Sequence, residues 1–171
     1  MIRTLLLHFC AWCNASWWGE AIRKSTWLFP FVEIFHLLAL GVLGGTILIL
    51  NLKLMRLAFK SESTAELAEE VKPWMIGSLI VMLISGFLLF STEAVKMYGN
   101  WGFQLKMLFL LLAIVYTFTI YGRFTRRDDG RFGPALRVAV AVISLLLWSG
   151  VGLGGRSLGY ITTSASSVDQ Q

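Results

Sequence analysis

Four apolar runs, separated by short polar stretches, set the pattern of this chain. The first, FPFVEIFHLLALGVLGGTILILNL from Phe29, is almost unbroken, and comparable runs follow from Trp74, Phe103 and Ala135. A helix rises 1.5 Å per residue, so roughly 20 apolar residues cross a hydrocarbon layer. The pattern predicts transmembrane helices over about 29–52, 74–92, 103–122 and 135–153. Pro30 falls in a first turn, where its missing N–H costs nothing. Pro73 is expected to open the second helix in the same way.

The polar stretches complete the outline. SESTAELAEEV, Ser61 to Val71, predicts a short cytoplasmic helix in which Ser63 and Glu66 form a capping box. YGNWG, Tyr98 to Gly102, predicts a tight turn, and GRFTRRDDGRFGP, Gly122 to Pro134, a basic connection. Residues 1–28 begin like a signal peptide, with Arg3 before apolar residues, but His8 interrupts that run and tryptophans replace a small-residue cleavage site. Trp12, Trp17, Trp18 and Trp27 are of the type that settles at headgroup level, so an N-terminal interfacial amphipathic helix is expected. Residues 157–171 form a polar tail expected to be disordered. The fold class is therefore all-α: an integral membrane four-helix transmembrane bundle, residues 29–156, with the interfacial helix on its outer face.

Composition supports the membrane reading. Of 171 residues 56% are hydrophobic and 15% charged, and the mean hydropathy is +0.69; a soluble domain carries about 25% charged residues. The net charge of +5 sits in the connections and not on one face, which argues against nucleic acid as a partner. Nine Lys and Arg, among them Lys53, Arg56 and Arg137, fall in the two connections on one side, and six on the other. The positive-inside bias makes the nine-residue side cytoplasmic. Both termini then lie on the outer, periplasmic side of a bacterial inner membrane crossed four times.

Within that topology Glu33, His36, Glu93, Lys106 and Arg156 fall in the outer half of the membrane or at its rim. His36 lies roughly 9 Å past Pro30 along the helix. Ionisable groups in lipid are costly and face protein, water or a ligand. Leu40, Gly41 and Gly44 lie on or near the face of His36, and small residues there leave room for a flat ligand or another backbone. A b-type haem asks for a neutral imidazole on iron, small residues along the ring face and cations for the propionates. His36, the two glycines, and Lys106 with Arg156 fit those roles in turn, and Glu33 fits a hydrogen-bonding partner behind the ligand. The chain has two histidines, His8 and His36, so a second axial ligand is His8 folded back, a methionine such as Met97 or Met107, a partner's residue, or absent.

HFCAWC places His8, Cys10 and Cys13 together, a pattern that suits a disulfide, a redox pair or a soft metal such as copper. Asn14 follows the second cysteine where covalent haem attachment wants histidine. No acyl-transfer triad, phosphate loop, EF-hand or HExxH motif is present.

AIRKSTWLFPFVEIFHLLALGVLGGTILILNLKLMRL resembles the opening of a family of bacterial four-helix membrane proteins of the copper-resistance-D-like group. Ser85 to Ala113 and Leu145 to Tyr160 resemble it as well. In that family a proline and a glutamate precede the helix 1 histidine, and a "DLRLLG" exit follows; here the exit is NLKLMR, with Asn51 and Lys53 in place of the acid and the arginine. More distantly, His36 with Lys106 is similar to the helix 1 histidine and helix 3 lysine of the membrane-bound bacterial protoporphyrinogen oxidase, a haem-associated enzyme. That likeness implies haem and names no reaction.

The sequence thus supports a haem-b-binding membrane protein, an oxidoreductase component that transfers electrons near the outer leaflet to or from a quinone or a periplasmic carrier. Two other readings stand beside it. One is a non-catalytic subunit of a homo-oligomer or larger membrane complex, and the other a copper-handling protein using His8, Cys10, Cys13 and His36.

Overall fold

The structure, a computed structural model, describes the backbone of residues 2–58, 63–123 and 132–168 and the side chains of 4–58, 63–123 and 132–154. Among the described residues the chain is all-α, without strands. Its helices are α1 (Ile2–Asn14), α2 (Trp17–Lys24), α3 (Leu28–Leu54), α4 (Thr64–Thr92), α5 (Ala94–Tyr98), α6 (Trp101–Tyr116) and α7 (Pro134–Val168). Thr117–Tyr121 continue α6 as a π-helical turn.

Four segments are long and apolar enough to cross a membrane: Leu28–Leu54, Thr64–Thr92, Trp101–Tyr121 and Pro134–Gly154. They are the helix complement of a four-helix bundle. Leu38, Leu111, Leu146 and Leu153, on three of them, are each between 60% and 70% exposed. Exposed leucines on long apolar helices are unfavourable in water and natural against lipid. By the length and composition of its helices the chain is a multi-pass membrane protein.

Three boundaries differ from those the sequence predicts. The N-terminal segment is two helices and not one, because Ser16 takes an extended conformation (φ −65°, ψ 144°) and its Oγ accepts the Gly19 N–H of α2 at 3.2 Å. The predicted cytoplasmic helix and the second span are one helix, α4, that runs through Pro73. Proline removes one N–H from the ladder, that to Glu69 O, and a capped turn before it keeps the helix going. The capping box is there: Ser63 N–H donates to Glu66 Oε2 at 3.4 Å and Ala65 N–H to Ser63 Oγ at 3.3 Å. Finally, α7 continues to Val168, past the end expected near 153 and into the predicted tail. The alanines, serines and threonines of 161–168 include no proline to stop it. Most of the basic connection, 124–131, lies outside the described residues.

The chain divides into two compact units. The first comprises Met1–Leu43 and Trp74–Trp101, the second Gly44–Pro73 and Gly102–Gln171. In the first, α1 packs on α5, burying Cys10, Cys13 and Ala94 beside Phe90 and Tyr98. Arg23 at the end of α2 donates to Thr92 O at 2.9 Å and Asn14 Oδ1 at 3.2 Å, satisfying a carbonyl that α4 leaves open at its C-terminus.

In the second unit Leu50, Leu54, Leu67, Tyr116, Tyr121, Val140 and Ala141 form the core. Polar side chains fix its register: Tyr116 OH donates to Val140 O at 2.9 Å, and Trp148 Nε1 to Thr117 Oγ1 at 3.2 Å, at the π turn. Asn51, fully buried, donates from Nδ2 to Ile47 O at 2.8 Å and Ser144 Oγ at 3.2 Å, tying α3 to α7. Such interhelical bonds contribute about 0.6 kcal/mol each in a membrane. Helix α3 closes in a Schellman motif, with Leu57 N–H donating to Leu52 O at 3.0 Å and Arg56 N–H to Lys53 O at 2.9 Å. Arg56 takes the left-handed conformation this requires (φ 57°), at a position where glycine is the usual residue.

Candidate functional site

His36 lies on α3 in the first unit, half-buried, about two turns into the helix. Its Nδ1 is 2.9 Å from Ser85 Oγ on α4. Ser85 is buried, and its hydroxyl also lies 2.6 Å from Val81 O, one turn back on its own helix. A hydroxyl has one proton, and Val81 O can only accept, so the proton points at the carbonyl. Ser85 Oγ therefore accepts from His36, and Nδ1 carries the hydrogen. In the neutral form of the ring the lone pair is then at Nε2. A donor bond from one ring nitrogen to a neighbour is the arrangement that fixes tautomer and orientation in ligating histidines.

Gly86 completes the seat. A Cβ on Gly86 would stand 3.1 Å from His36 Cε1 and 3.6 Å from Nδ1, so the ring lies over this residue at a distance that a side chain would disturb. Ser85 and Gly86 were not among the site residues the sequence pointed to. Their signal is a polar–glycine pair, Ser85-Gly86, inside an otherwise apolar run.

Residues 9–161 match a family of unknown function, DUF6644. The chain belongs to the DUF6644 family. No curated protein and no solved structure matches it. The DUF6644 match takes in His36, Ser85, Gly86, Lys106 and Arg156 and both cysteines, and begins one residue after His8.

The other residues singled out in this DUF6644 protein fall as follows. Glu33 is exposed, and the place behind the imidazole expected for it is taken by Ser85. Gly41 belongs to the first unit and Gly44 to the second; a Cβ on either would meet nothing within 4 Å, so no other backbone packs on them. Lys106, on α6 in the second unit, is half-buried, and a Cβ on Gly154 of α7 would stand 3.2 Å from Lys106 Cβ. Arg156 lies on α7, its side chain outside the described residues.

His8 is exposed on α1, whereas Cys10 and Cys13 are 3% and 0% exposed and turn into the contact with α5. Both thiols are free. Among the described residues no three of His, Cys, Asp and Glu come together. Burial pushes both thiols above their ordinary 9.0, and the nearby Cys10 raises Cys13 further. The thiolate is the reactive form, so a raised value means less of it at any given pH. The folded protein is accordingly expected to react with a water-soluble maleimide at pH 8 at least about tenfold more slowly than the same chain in dodecyl sulfate. Equal labelling rates in the two states would show the cysteines to be open.

Proposed function

We propose that this protein binds one b-type haem in the bacterial inner membrane, with His36 as a ligand through Nε2 and both termini on the periplasmic side. Haem bound there supplies one-electron chemistry, with a quinone or a periplasmic carrier as its exchange partner. The observation that carries the reading is the hydrogen bond from His36 Nδ1 to a serine whose own proton is committed to Val81 O. A histidine packed between helices also makes such bonds, so the bond alone does not require a metal. A ligating histidine needs one, because the bond holds the ring against rotation and makes Nε2 the better donor to iron.

The chain's own residues account for the rest of the reading. Ser85 holds the proton at Nδ1, and Gly86 keeps the space beside Cε1 and Nδ1 clear of a side chain.

The test is a reduced-minus-oxidised visible spectrum of the detergent-purified protein, with a pyridine haemochrome assay for stoichiometry. A b-type spectrum at about one haem per chain is the expected result. Protein that is folded and haem-free after expression with haem precursor supplied would overturn it.

A further inference from the structure

We propose that a cavity in the second unit, framed by Arg56 and Arg137, binds the phosphate of an anionic phospholipid. The cavity, about 410 Å³, lies where α3 ends and α7 begins. Its lining combines apolar side chains, from Leu54, Met55, Phe132 and Val138, with the two arginines. No carboxylate lines it among the described residues. Apolar lining combined with fixed positive charge selects an amphiphile with an anionic head over a free inorganic ion or a neutral lipid.

Three features of the chain agree with that ligand. Leu54 and Pro134 are the terminal residues of two membrane-spanning segments, so the cavity sits at the depth where lipid headgroups lie. Arg137 is 5% exposed, one turn into α7, and its guanidinium is a planar fork that matches phosphate oxygens in pairs. The start of α7 at Gly133 and Pro134 also forms part of the wall, and the unpaired amides of a helix's first turn favour an anion.

Arg56 is the most telling residue. It occupies the left-handed position of the Schellman motif at φ 57°, where glycine is less strained. Arginine held at a glycine position, with its charge lining a cavity, is explained by what the charge holds.

That geometry also provides the discriminating variant. Arg56→Gly relieves the backbone and removes the cation, so fold and binding move in opposite directions. Thermal unfolding is followed in dodecyl maltoside with added dioctanoyl phosphatidylglycerol, dioctanoyl phosphatidylcholine or sodium phosphate. The wild-type protein is expected to gain a saturable rise in Tm with phosphatidylglycerol alone. In Arg56→Gly the Tm without lipid is unchanged or higher, and the half-saturating phosphatidylglycerol concentration rises about fivefold or more. Arg137→Gln, where it folds, shifts the same curve in the same direction. An equal rise with phosphatidylcholine would overturn the proposal, as would an undiminished response in Arg56→Gly. A rise with sodium phosphate matching that with the lipid would overturn it too, and make the site one for the free ion.

Discussion

His36→Ala is expected to leave the protein folded and without haem. Iron bound through a single protein nitrogen loses its anchor when that nitrogen goes. A small residue at a half-buried position of α3 leaves the span's length and apolar character intact. Ser85→Ala separates ligation from mere proximity. It removes the acceptor of the Nδ1 hydrogen bond while leaving the imidazole in place, and loss of such a partner weakens metal binding about 10–100-fold. Haem per chain after dialysis against apomyoglobin reads both variants, with the wild type near one, His36→Ala near zero and Ser85→Ala between. Ser85→Thr, which keeps a hydroxyl, is expected to recover most of the loss. Glu33→Gln is expected to change nothing, because Glu33 is exposed and Ser85 occupies the place behind the ring. Full haem occupancy in His36→Ala would remove the assignment.

The contrast between Ser85 and Glu33 shows what the sequence could convey and what it could not. Membrane-spanning length is local and cumulative, so apolar runs were legible to within two or three residues where nothing competed: 29–52 against Leu28–Leu54, 103–122 against Trp101–Tyr121. Pro73 misled because a proline ordinarily marks a helix start. Here the preceding turn was already helical through its Ser63–Glu66 cap, and the two pieces joined. The histidine stood out as an ionisable group in an apolar run, but its partner lies 49 residues away on another helix. A pairing of that kind is set by rotation of one helix against the other, which periodicity in a uniformly apolar run does not encode. Glu33 was favoured in its place because it lay one turn off in sequence. Lys53 and Arg137 followed the same logic. Counted as charges of the connections between spans, they are only 6% and 5% exposed: Lys53 because α3 runs to Leu54, past the predicted end at 52, and Arg137 because it lies one turn inside α7. Their burial is a tertiary property.

Gly19→Val is expected to cost about 1–3 kcal/mol and to loosen the N-terminal helices. Gly19 is the third residue of α2, and a Cβ there would stand 2.8 Å from Ser91 O and 3.1 Å from Cys13 O. Both are backbone atoms, so neither can rotate out of the way; α2 must move as a whole. That movement breaks the bond from Arg23 to Thr92 O and withdraws the Ser16 cap, since the Gly19 amide is its donor. Cys13 is itself part of this contact, so the loss has a chemical signature besides a lower Tm: maleimide labelling of Gly19→Val in the native state should approach the rate seen in dodecyl sulfate. Gly77→Ala is the matched control, because a Cβ at Gly77 meets nothing within 4 Å and alanine has the higher helix propensity. It should neither lower the Tm nor change the labelling. If Gly19→Val labels as slowly as the wild type, the close approach of α2 to the end of α4 does not hold the cysteines shut, and their burial rests on the α1–α5 contact alone.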